Sequence, residues 1–274
     1  MELVVFDLDG TLLNRRSSIS EDTATTLRQL ADRGIAYTVA TGRTLHGARD
    51  LLVGHGFELP FILKNGAMIW QPDAEDYSHK SLLTLEEIGY VVEVILKQDI
   101  TPFIFTLGDD NHHIVYHVPL QSESEERLVR HLATKDLVRL FPVSQLPAEA
   151  KISNISAIGP LNAIEAIEHL IADETHLVAF AGTALEGGHL GWIDIHHSDA
   201  SKGGAIEQLK QELGFTRVIC FGDSDNDLSM FAMADESYAP ANAKPVVKEA
   251  ATAVIGHHDE DGIAEFLRQR FELE

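Results

Sequence analysis

The sequence predicts an α/β fold in which a doubly wound, mainly parallel, Rossmann-like core carries an inserted α+β domain. Two observations lead to this prediction. Strand-like and helix-like segments alternate near the start and again near the end of the chain, the βαβ rhythm of a parallel sheet covered by helices. From about Leu82 to Ile193 the pattern changes to helices and hairpin-like strand pairs. We therefore expect a core of residues 1–81 and 194–274 and an insert of residues 82–193.

The two parts of the core show the same succession of apolar strands and amphipathic helices. In the first part, strands are expected at Glu2–Leu8, Ile35–Ala40 and Phe61–Lys64, and helices at Ser20–Asp32 and Thr44–Val53. In the second part, a helix is expected at Ser201–Leu213, a strand at Arg217–Phe221, a helix after Asp225, a strand at Ala253–Ile255 and a helix from Asp261.

The insert is expected to begin with a helix, because Thr84 and Glu87 form a capping box. Two apolar segments joined by the turn Gly108–Asn111 predict a hairpin after it. The remaining elements are expected to be helices near Ser122–Ala133 and Leu161–Ala172 and strands at Ile152–Ile158, Leu177–Ala181 and Trp192–Ile195.

The composition indicates a globular protein, since 45% of the 274 residues are hydrophobic. Lys and Arg number 21 and Asp and Glu 43, which gives a net charge of −22. Such a charge opposes nonspecific binding to nucleic acid or to an anionic membrane, so neither is expected as a partner. No apolar run approaches the length of a membrane span, no targeting segment is evident and Cys220 is the single cysteine, so we expect a cytoplasmic protein.

Two carboxylates follow the first expected strand, at Asp7 and Asp9 of VVFDLDGT. In an extended chain both side chains point to one face, which fits either a polar turn or a cation site with a nucleophile beside an acid. Three further polar segments stand at the ends of expected core strands, where open parallel sheets bind ligands. These segments are Ala40–Arg43 (ATGR), Ser201–Gly204 (SKGG) and Gly222–Asp227 (GDSDND). Their hydroxyl, free backbone N–H groups, ammonium and carboxylates suit phosphate esters.

The segments DLDGT, ATGR, SKGGAI and GDSDND, in this order and with a large insert between the second and third, resemble the haloacid dehalogenase superfamily of phosphotransferases. The α+β insert and the NGA at Asn65–Ala67 resemble the Cof-type sugar-phosphate phosphatase branch of that superfamily. The resemblance implies a Mg²⁺-dependent phosphatase that hydrolyses a small phosphorylated metabolite, such as a sugar phosphate, through an aspartyl-phosphate. It also implies that the insert is a cap that selects the substrate.

The same resemblance implies a role for each residue of the motifs. Asp7 is expected to be the nucleophile and Asp9 the general acid and base. Mg²⁺, which prefers oxygen ligands, is expected to bind Asp7, the backbone carbonyl of Asp9 and Asp223. Asp227 is expected to support the site by orienting Lys202 or the metal-bound waters. The residues expected to bind the phosphate are Thr41, Gly42, Lys202 and Asn226.

Three alternatives share parts of this pattern. A phosphomutase, or a phosphatase specific for one disaccharide phosphate, would have the same core motifs. A receiver-like phosphoprotein also gathers carboxylates, Mg²⁺, Thr and Lys around an aspartyl-phosphate, but a receiver is a single small domain without a large insert. A non-catalytic binding module would bind Mg²⁺ without hydrolysing a substrate.

Other conspicuous residues have no role in this interpretation. Three pairs of adjacent histidines lack the spacing of a zinc site, so we expect surface or hydrogen-bonded histidines. The pairs are His112–His113, His196–His197 and His257–His258. The glycine-rich Gly187–Gly191 is expected to form a turn, and Trp70 and Trp192 are expected to pack at the domain junction rather than stack on a substrate.

Overall fold

The computed structural model describes residues 1–108, 111–135, 138–184 and 189–273. The chain divides into a core unit, Met1–His79 with Ser201–Glu274, and an inserted unit, Lys80–Ala200. The expected boundaries differ from these: residues 80 and 81 and residues 194–200 belong to the inserted unit. The larger difference arises because the strand Leu190–His197 pairs along its whole length inside the inserted unit.

The strands and helices have the following bounds in the described residues. The strands are β1 (Glu2–Phe6), β2 (Ala36–Val39), β3 (Phe61–Leu63), β4 (Met68–Gln71), β5 (Asp76–Lys80), β6 (Phe103–Leu107), β7 (His113–His117), β8 (Val138–Pro142), β9 (Ile152–Pro160), β10 (Leu177–Thr183), β11 (Leu190–His197), β12 (Arg217–Phe221), β13 (Glu236–Pro240) and β14 (Ala253–Ile255). The helices are α1 (Glu21–Asp32), α2 (Leu45–Leu52), α3 (Leu85–Leu96), α4 (Glu123–Leu132), α5 (Leu161–Ile171), α6 (Lys202–Leu213), α7 (Leu228–Met233), α8 (Pro245–Ala250) and α9 (Gly262–Arg270).

The core unit is built on a parallel sheet of order β14-β13-β12-β1-β2, and a bridge between Ala40 and Ile62 continues it to β3. Its central strands β1 and β12 are apolar and almost wholly buried, as expected when helices cover both faces of a parallel sheet. The chain proceeds to one side of β1 through β2 and to the other side through β12, so the sheet is doubly wound with its switch point between β1 and β12. The predicted fold class is confirmed.

Several elements of the core unit were not predicted. They are the strands β4 and β5, which extend β3 into a three-stranded sheet of order β3-β4-β5, the helix α8 and the strand β13. The sequence of β13, ESYAP, contains no β-branched residue and ends in proline, so it lacks the usual signal of a strand. Its extended conformation comes instead from pairing with β12 on one side and β14 on the other.

The inserted unit is a six-stranded sheet of order β10-β11-β9-β6-β7-β8 with helices on both faces. Helices α3 and α5 pack on one face against isoleucines such as Ile155 and Ile193, and α4 packs on the other face against Phe103 and Phe105. The hairpin of β6 and β7 is confirmed. Its expected turn includes residues 109 and 110, and the expected glycine turn includes residues 187 and 188, which lie outside the described residues. In the part of the chain that the structure describes, no helix is long and apolar enough to cross a membrane.

Candidate active site

The ends of β1 and β12 bring the first and the last motif together. The backbone N–H of Asp7 donates to the carbonyl of Phe221 over 2.9 Å, so Asp7 lies beside the chain that leads to Asp223. One carboxylate oxygen from each of Asp7, Asp223 and Asp227 lies within 4.8 Å of the others. In the described residues no other group of three or more potential metal ligands lies so close together, and none of the His pairs joins this one. Oxygen ligands of this kind suit a hard divalent cation.

Helix α6 begins at the site and carries Lys202 into it. Ser201 caps the helix, its Oγ accepting a hydrogen bond of 3.0 Å from the N–H of Gly204. A side chain at Gly203 would meet the backbone carbonyl of Ser229 at 2.2 Å, so this glycine lets α6 approach the following motif closely. The second and third residues of SKGG therefore act together: the glycine permits the approach that lets Lys202 enter the site.

The Lys202 ammonium is fully buried between two carboxylates. Its Nζ donates to Oδ1 of Asp7 and to Oδ1 of Asp227, each over 2.6 Å. Burial lowers the pKa of Lys202, but the charges of Asp227 and Asp7 outweigh it, so the net pKa is raised and the lysine is charged. Burial raises the pKa of Asp7 well above its ordinary value, an effect that Lys202 opposes and the neighbouring carboxylates increase.

Asp227 is fully buried, and each of its two carboxylate oxygens accepts hydrogen bonds from protein groups. While Oδ1 binds Lys202, Oδ2 accepts hydrogen bonds from the backbone N–H of Asp223 at 2.8 Å and of Ser224 at 2.9 Å. A side chain at Gly222 would meet the Asp227 carboxyl carbon at 2.5 Å. Asp227 thus orients Lys202 and also fixes the loop that carries Asp223.

Asp223 is packed against Gly10, the glycine of DLDGT. Burial and the nearby charge of Asp227 raise the pKa of Asp223 to about 6. Gly10 has a φ of +77°, and a Cβ on it would lie 2.4 Å from Oδ2 of Asp223. A side chain is therefore excluded at Gly10 for two reasons: its positive φ is unfavourable for other residues, and a Cβ would collide with Asp223, a candidate metal ligand.

We predict that Gly10→Ala displaces the Asp223 carboxylate and lowers turnover by about a hundredfold or more, the loss expected when a group that positions the reacting atoms moves by about 1 Å. The matched control is Gly34→Ala, because Gly34 has a φ of +69° but no atom within 4 Å of the added Cβ. The control should cost only about 1 kcal/mol of stability from the backbone and retain turnover. Equal turnover in the two variants, measured by steady-state kinetics with folding checked by thermal melting, would contradict this account.

Asp9 has a different environment from Asp7. Because β1 ends at Phe6 and the chain then turns, the alternation of a strand does not fix the direction of Asp9, contrary to the expectation from the sequence. Its side chain is 57% exposed and is bound by Arg43, whose Nε donates to Oδ2 over 2.7 Å and whose Nη2 donates to Oδ1 over 2.6 Å. Arg43 also donates to the carbonyl of Gly47 over 2.7 Å. Sequence reasoning missed this role of Arg43, although it ends the ATGR motif.

The remaining expected site residues meet around Asn65, to which the sequence alone assigned no role. The N–H of Asn65 donates to the carbonyl of Thr41 over 3.0 Å, and its Oδ1 accepts a hydrogen bond of 2.9 Å from Nδ2 of Asn226. A Cβ on Gly42 would lie 3.2 Å from the same Oδ1. Thr41 is buried, and its Oγ1 accepts a hydrogen bond of 3.1 Å from the N–H of Arg43. Asn65 therefore joins the second and fourth motifs.

The protein matches the family model of haloacid dehalogenase-like hydrolases over residues 4–267. It is 25% identical to the 5-amino-6-(5-phospho-D-ribitylamino)uracil phosphatase YitU of Bacillus subtilis, over 99% of this chain and 98% of that protein. It is 28% identical to the HMP-PP phosphatase of Yersinia enterocolitica, over 97% of this chain and 94% of that protein.

A solved structure, a haloacid dehalogenase-like hydrolase from Bacteroides thetaiotaomicron, is similar in fold, with a TM-score of 0.77 over 98% of this chain and 99% of that one at 22% identity. The family match spans all four motifs and the insert between them. The protein therefore belongs to the haloacid dehalogenase-like hydrolase family, and it is an enzyme of the Cof-type branch whose relatives are named as phosphatases.

Proposed function

We propose that this enzyme hydrolyses a small phosphomonoester, such as a sugar phosphate or a related metabolite, with Mg²⁺ and through an aspartyl-phosphate on Asp7. The observation that carries the proposal is the buried ammonium of Lys202, which binds Asp7 and Asp227 beside Asp223. A fixed cation among carboxylates at the switch point of a doubly wound sheet suits a reaction in which negative charge shifts between carboxylate and phosphoryl oxygens.

In the proposed first step, a carboxylate oxygen of Asp7 attacks phosphorus and the bond from phosphorus to the ester oxygen breaks. Asp9 acts as the general acid in this step: one of its oxygens, released from Arg43 and carrying a proton, gives that proton to the leaving oxygen. In the second step Asp9 takes a proton from a water molecule, the water oxygen attacks phosphorus, and the phosphoryl bond to Asp7 breaks. Inorganic phosphate leaves and both aspartates return to their starting states. Lys202 holds Asp7 by Oδ1 throughout, and Arg43 orients Asp9 when Asp9 is a carboxylate, as it is in this structure.

The donor atoms of the site fit Mg²⁺. Asp7 and Asp223 would hold the ion together with the backbone carbonyl of Asp9, and the bound ion would neutralise charge between carboxylate and phosphate. Asp227 lies in the same group, but its oxygens already bind Lys202 and two backbone N–H groups, so its proposed role is support. The proposed phosphate ligands are the hydroxyl of Thr41, the N–H of Gly42, Lys202 and the amide of Asn226.

The names of the relatives support a small substrate, since one is a phosphatase of a phosphorylated ribitylaminouracil and the other an HMP-PP phosphatase. We further propose that the inserted unit selects the part of the substrate beyond the phosphate. The net charge of −22 and the single cysteine support a cytoplasmic location without a nucleic-acid or membrane partner.

The proposal is tested by the release of inorganic phosphate from a panel of phosphorylated metabolites and one aryl phosphate, with Mg²⁺ and with excess chelator. We expect release that requires the metal and differs across the panel. Phosphorus NMR of the products distinguishes a mutase, which would move the phosphate to another hydroxyl. No release by a folded, Mg²⁺-binding protein would reject the phosphatase proposal.

We predict that Mg²⁺ raises the melting temperature more at pH 7.5 than at pH 5. The pKa of Asp223 is raised to about 6 in the folded protein, above the value of about 3.9 for an unfolded chain. Protonation therefore stabilises the folded state at low pH, and this contribution is lost as the pH rises through about 6, where Mg²⁺ replaces the proton. The measurement is the difference in melting temperature between Mg²⁺ and chelator at each pH. Asp223→Asn should reduce the difference; the same difference at both pH values in the wild type would contradict the prediction.

A further inference from the structure

On the face of the inserted sheet where α4 packs against Phe103 and Phe105 of β6, the strands β9, β10 and β11 carry side chains that belong to neither hydrophobic cluster. The strand register places Phe180, Asp194 and Ser156 in one row across β10, β11 and β9. The next row on the same face is Gly182, Trp192 and Ile158. Helix α5 packs against the opposite face, through the residues that alternate with these. We call Phe180, Asp194, Ser156, Gly182 and Trp192 the Trp192 patch.

The indole of Trp192 lies against a glycine and is open to solvent. A Cβ on Gly182 would lie 2.9 to 3.0 Å from three atoms of the indole, so the ring occupies the space that a side chain would need. Trp192 is nevertheless 38% exposed. The expectation that Trp192 packs at the domain junction therefore stays a prediction, whereas Trp70 is buried and packs edge-on against Tyr77 with ring centroids 5.0 Å apart.

Beside the indole, Asp194 offers a hydrogen-bond acceptor. Its Oδ1 accepts from the hydroxyl of Ser156 and, over 3.4 Å, from the amide of Asn154. Asp194 is half-buried, and these two hydrogen bonds hold its carboxylate in place. Among the described residues, its other oxygen, Oδ2, accepts no hydrogen bond. The described strand residues on this face of β9, β10 and β11 include no Lys or Arg.

These features select one kind of ligand. An exposed aromatic ring binds the C–H side of a sugar ring or of an extended polyol, and a fixed carboxylate oxygen beside it accepts hydrogen bonds from hydroxyl groups. An anionic group is disfavoured, because Asp194 would repel it and the two rows contain no Lys or Arg to bind it. The basic residue of the next row, His196, is fully buried against Phe180. A cation is less suited, because Ser156 and Asn154 already donate to Asp194 and the patch has no cage of several rings around one point.

We propose that the Trp192 patch binds an uncharged sugar ring or polyol, with its C–H groups on the indole and its hydroxyls on Asp194. The inference rests on the proposed function where the sugar belongs to the phosphorylated substrate, and it goes beyond that function where the sugar is a free carbohydrate. The sugar comes either from the phosphorylated substrate or from a free carbohydrate, and kinetics of the patch variants separates these sources.

The test is ligand-observed saturation-transfer NMR on the intact enzyme with unphosphorylated hexoses, pentoses and pentitols. We expect transfer to the carbon-bound protons of at least one of them, with affinity reduced at least about tenfold by Trp192→Ala and by Asp194→Asn. Gly182→Val, which displaces the indole without removing it, should act in the same direction. The matched control is Tyr90→Ala, which removes another exposed aromatic residue of the inserted unit, on α3, and should bind as the wild type does.

Kinetics with the same variants identifies the source of the sugar. A higher KM for sugar phosphates in Trp192→Ala, with kcat and turnover of a minimal alkyl phosphate unchanged, assigns the patch to the substrate; an unchanged KM assigns it to a free carbohydrate. The proposal is overturned if no neutral sugar or polyol binds, if binding is the same in Trp192→Ala, or if only amines or anions bind. Turnover of the minimal alkyl phosphate reports separately on the phosphatase proposal.

Discussion

Asp7→Asn is expected to lower kcat by at least about four orders of magnitude without lowering the melting temperature, because it removes the proposed nucleophile and keeps its shape. Burial raises the pKa of Asp7, Lys202 opposes this effect, and the nearby carboxylates of Asp227 and Asp223 raise the pKa further. A neutral amide relieves the repulsion between these carboxylates, while Lys202 keeps Asp227 as its partner. We therefore expect an inactive variant that, when both proteins are measured in chelator, is at least as stable as the wild type.

The measurements are steady-state phosphate release and thermal melting. Asp32→Asn, at an exposed position of α1, makes the same chemical change away from the site and should keep both values within experimental error of the wild type. An Asp7→Asn protein with substantial turnover, after purification from a host strain that lacks interfering phosphatases, would contradict the role proposed for Asp7.

Lys202→Met is expected to remove activity and to lower the free energy of unfolding by about 3–5 kcal/mol, the cost of leaving a buried charge without its partner. Methionine keeps most of the volume of lysine, so the loss reports on charge rather than on packing. The carboxylates of Asp7 and Asp227 would remain buried without the ammonium that binds both. Because protonation relieves them, the destabilisation should be smaller at pH 5 than at pH 7.5.

Denaturant unfolding in chelator measures this effect without compensation by metal. The matched control is Lys210→Met, on the same helix but only partly buried, which should cost about 1 kcal/mol or less. Equal losses of stability in the two variants would show that the buried ion pairs of Lys202 contribute little.

Much of the core could be predicted because its signals are local. The strands β1 and β12 are short apolar runs that end in polar residues, and Ser201 and Gly214 mark the beginning and end of α6 by capping. The strand β13 could not be found in this way, since its five residues pair with β12 through backbone groups that carry no sequence pattern.

The site could be predicted only as a set of residues. The order of the motifs indicated which side chains meet, because each follows a strand of one parallel sheet. Their contacts depend on tertiary structure. Arg43 binds Asp9 34 positions away, and Asn226 binds Asn65 161 positions away. Helices and strands produce sequence patterns only between residues a few positions apart, so they give no sign of contacts over such separations. The partners of Asp9 and Asn226 were therefore not foreseen.

The central claim is that phosphate passes through a covalent bond to Asp7, and Asp9→Asn with an aryl phosphate tests it most directly. An aryl leaving group needs no proton, so Asp7 should still be phosphorylated, while the loss of the base should slow hydrolysis of the aspartyl-phosphate. Stopped-flow detection of the released phenolate should show a burst of one equivalent per active site, followed by slow turnover. Borohydride reduction of acid-quenched enzyme should then convert residue 7 to homoserine, identified by peptide mass spectrometry. Slow release without a burst, from a folded variant in which residue 7 stays unmodified, would contradict the covalent mechanism.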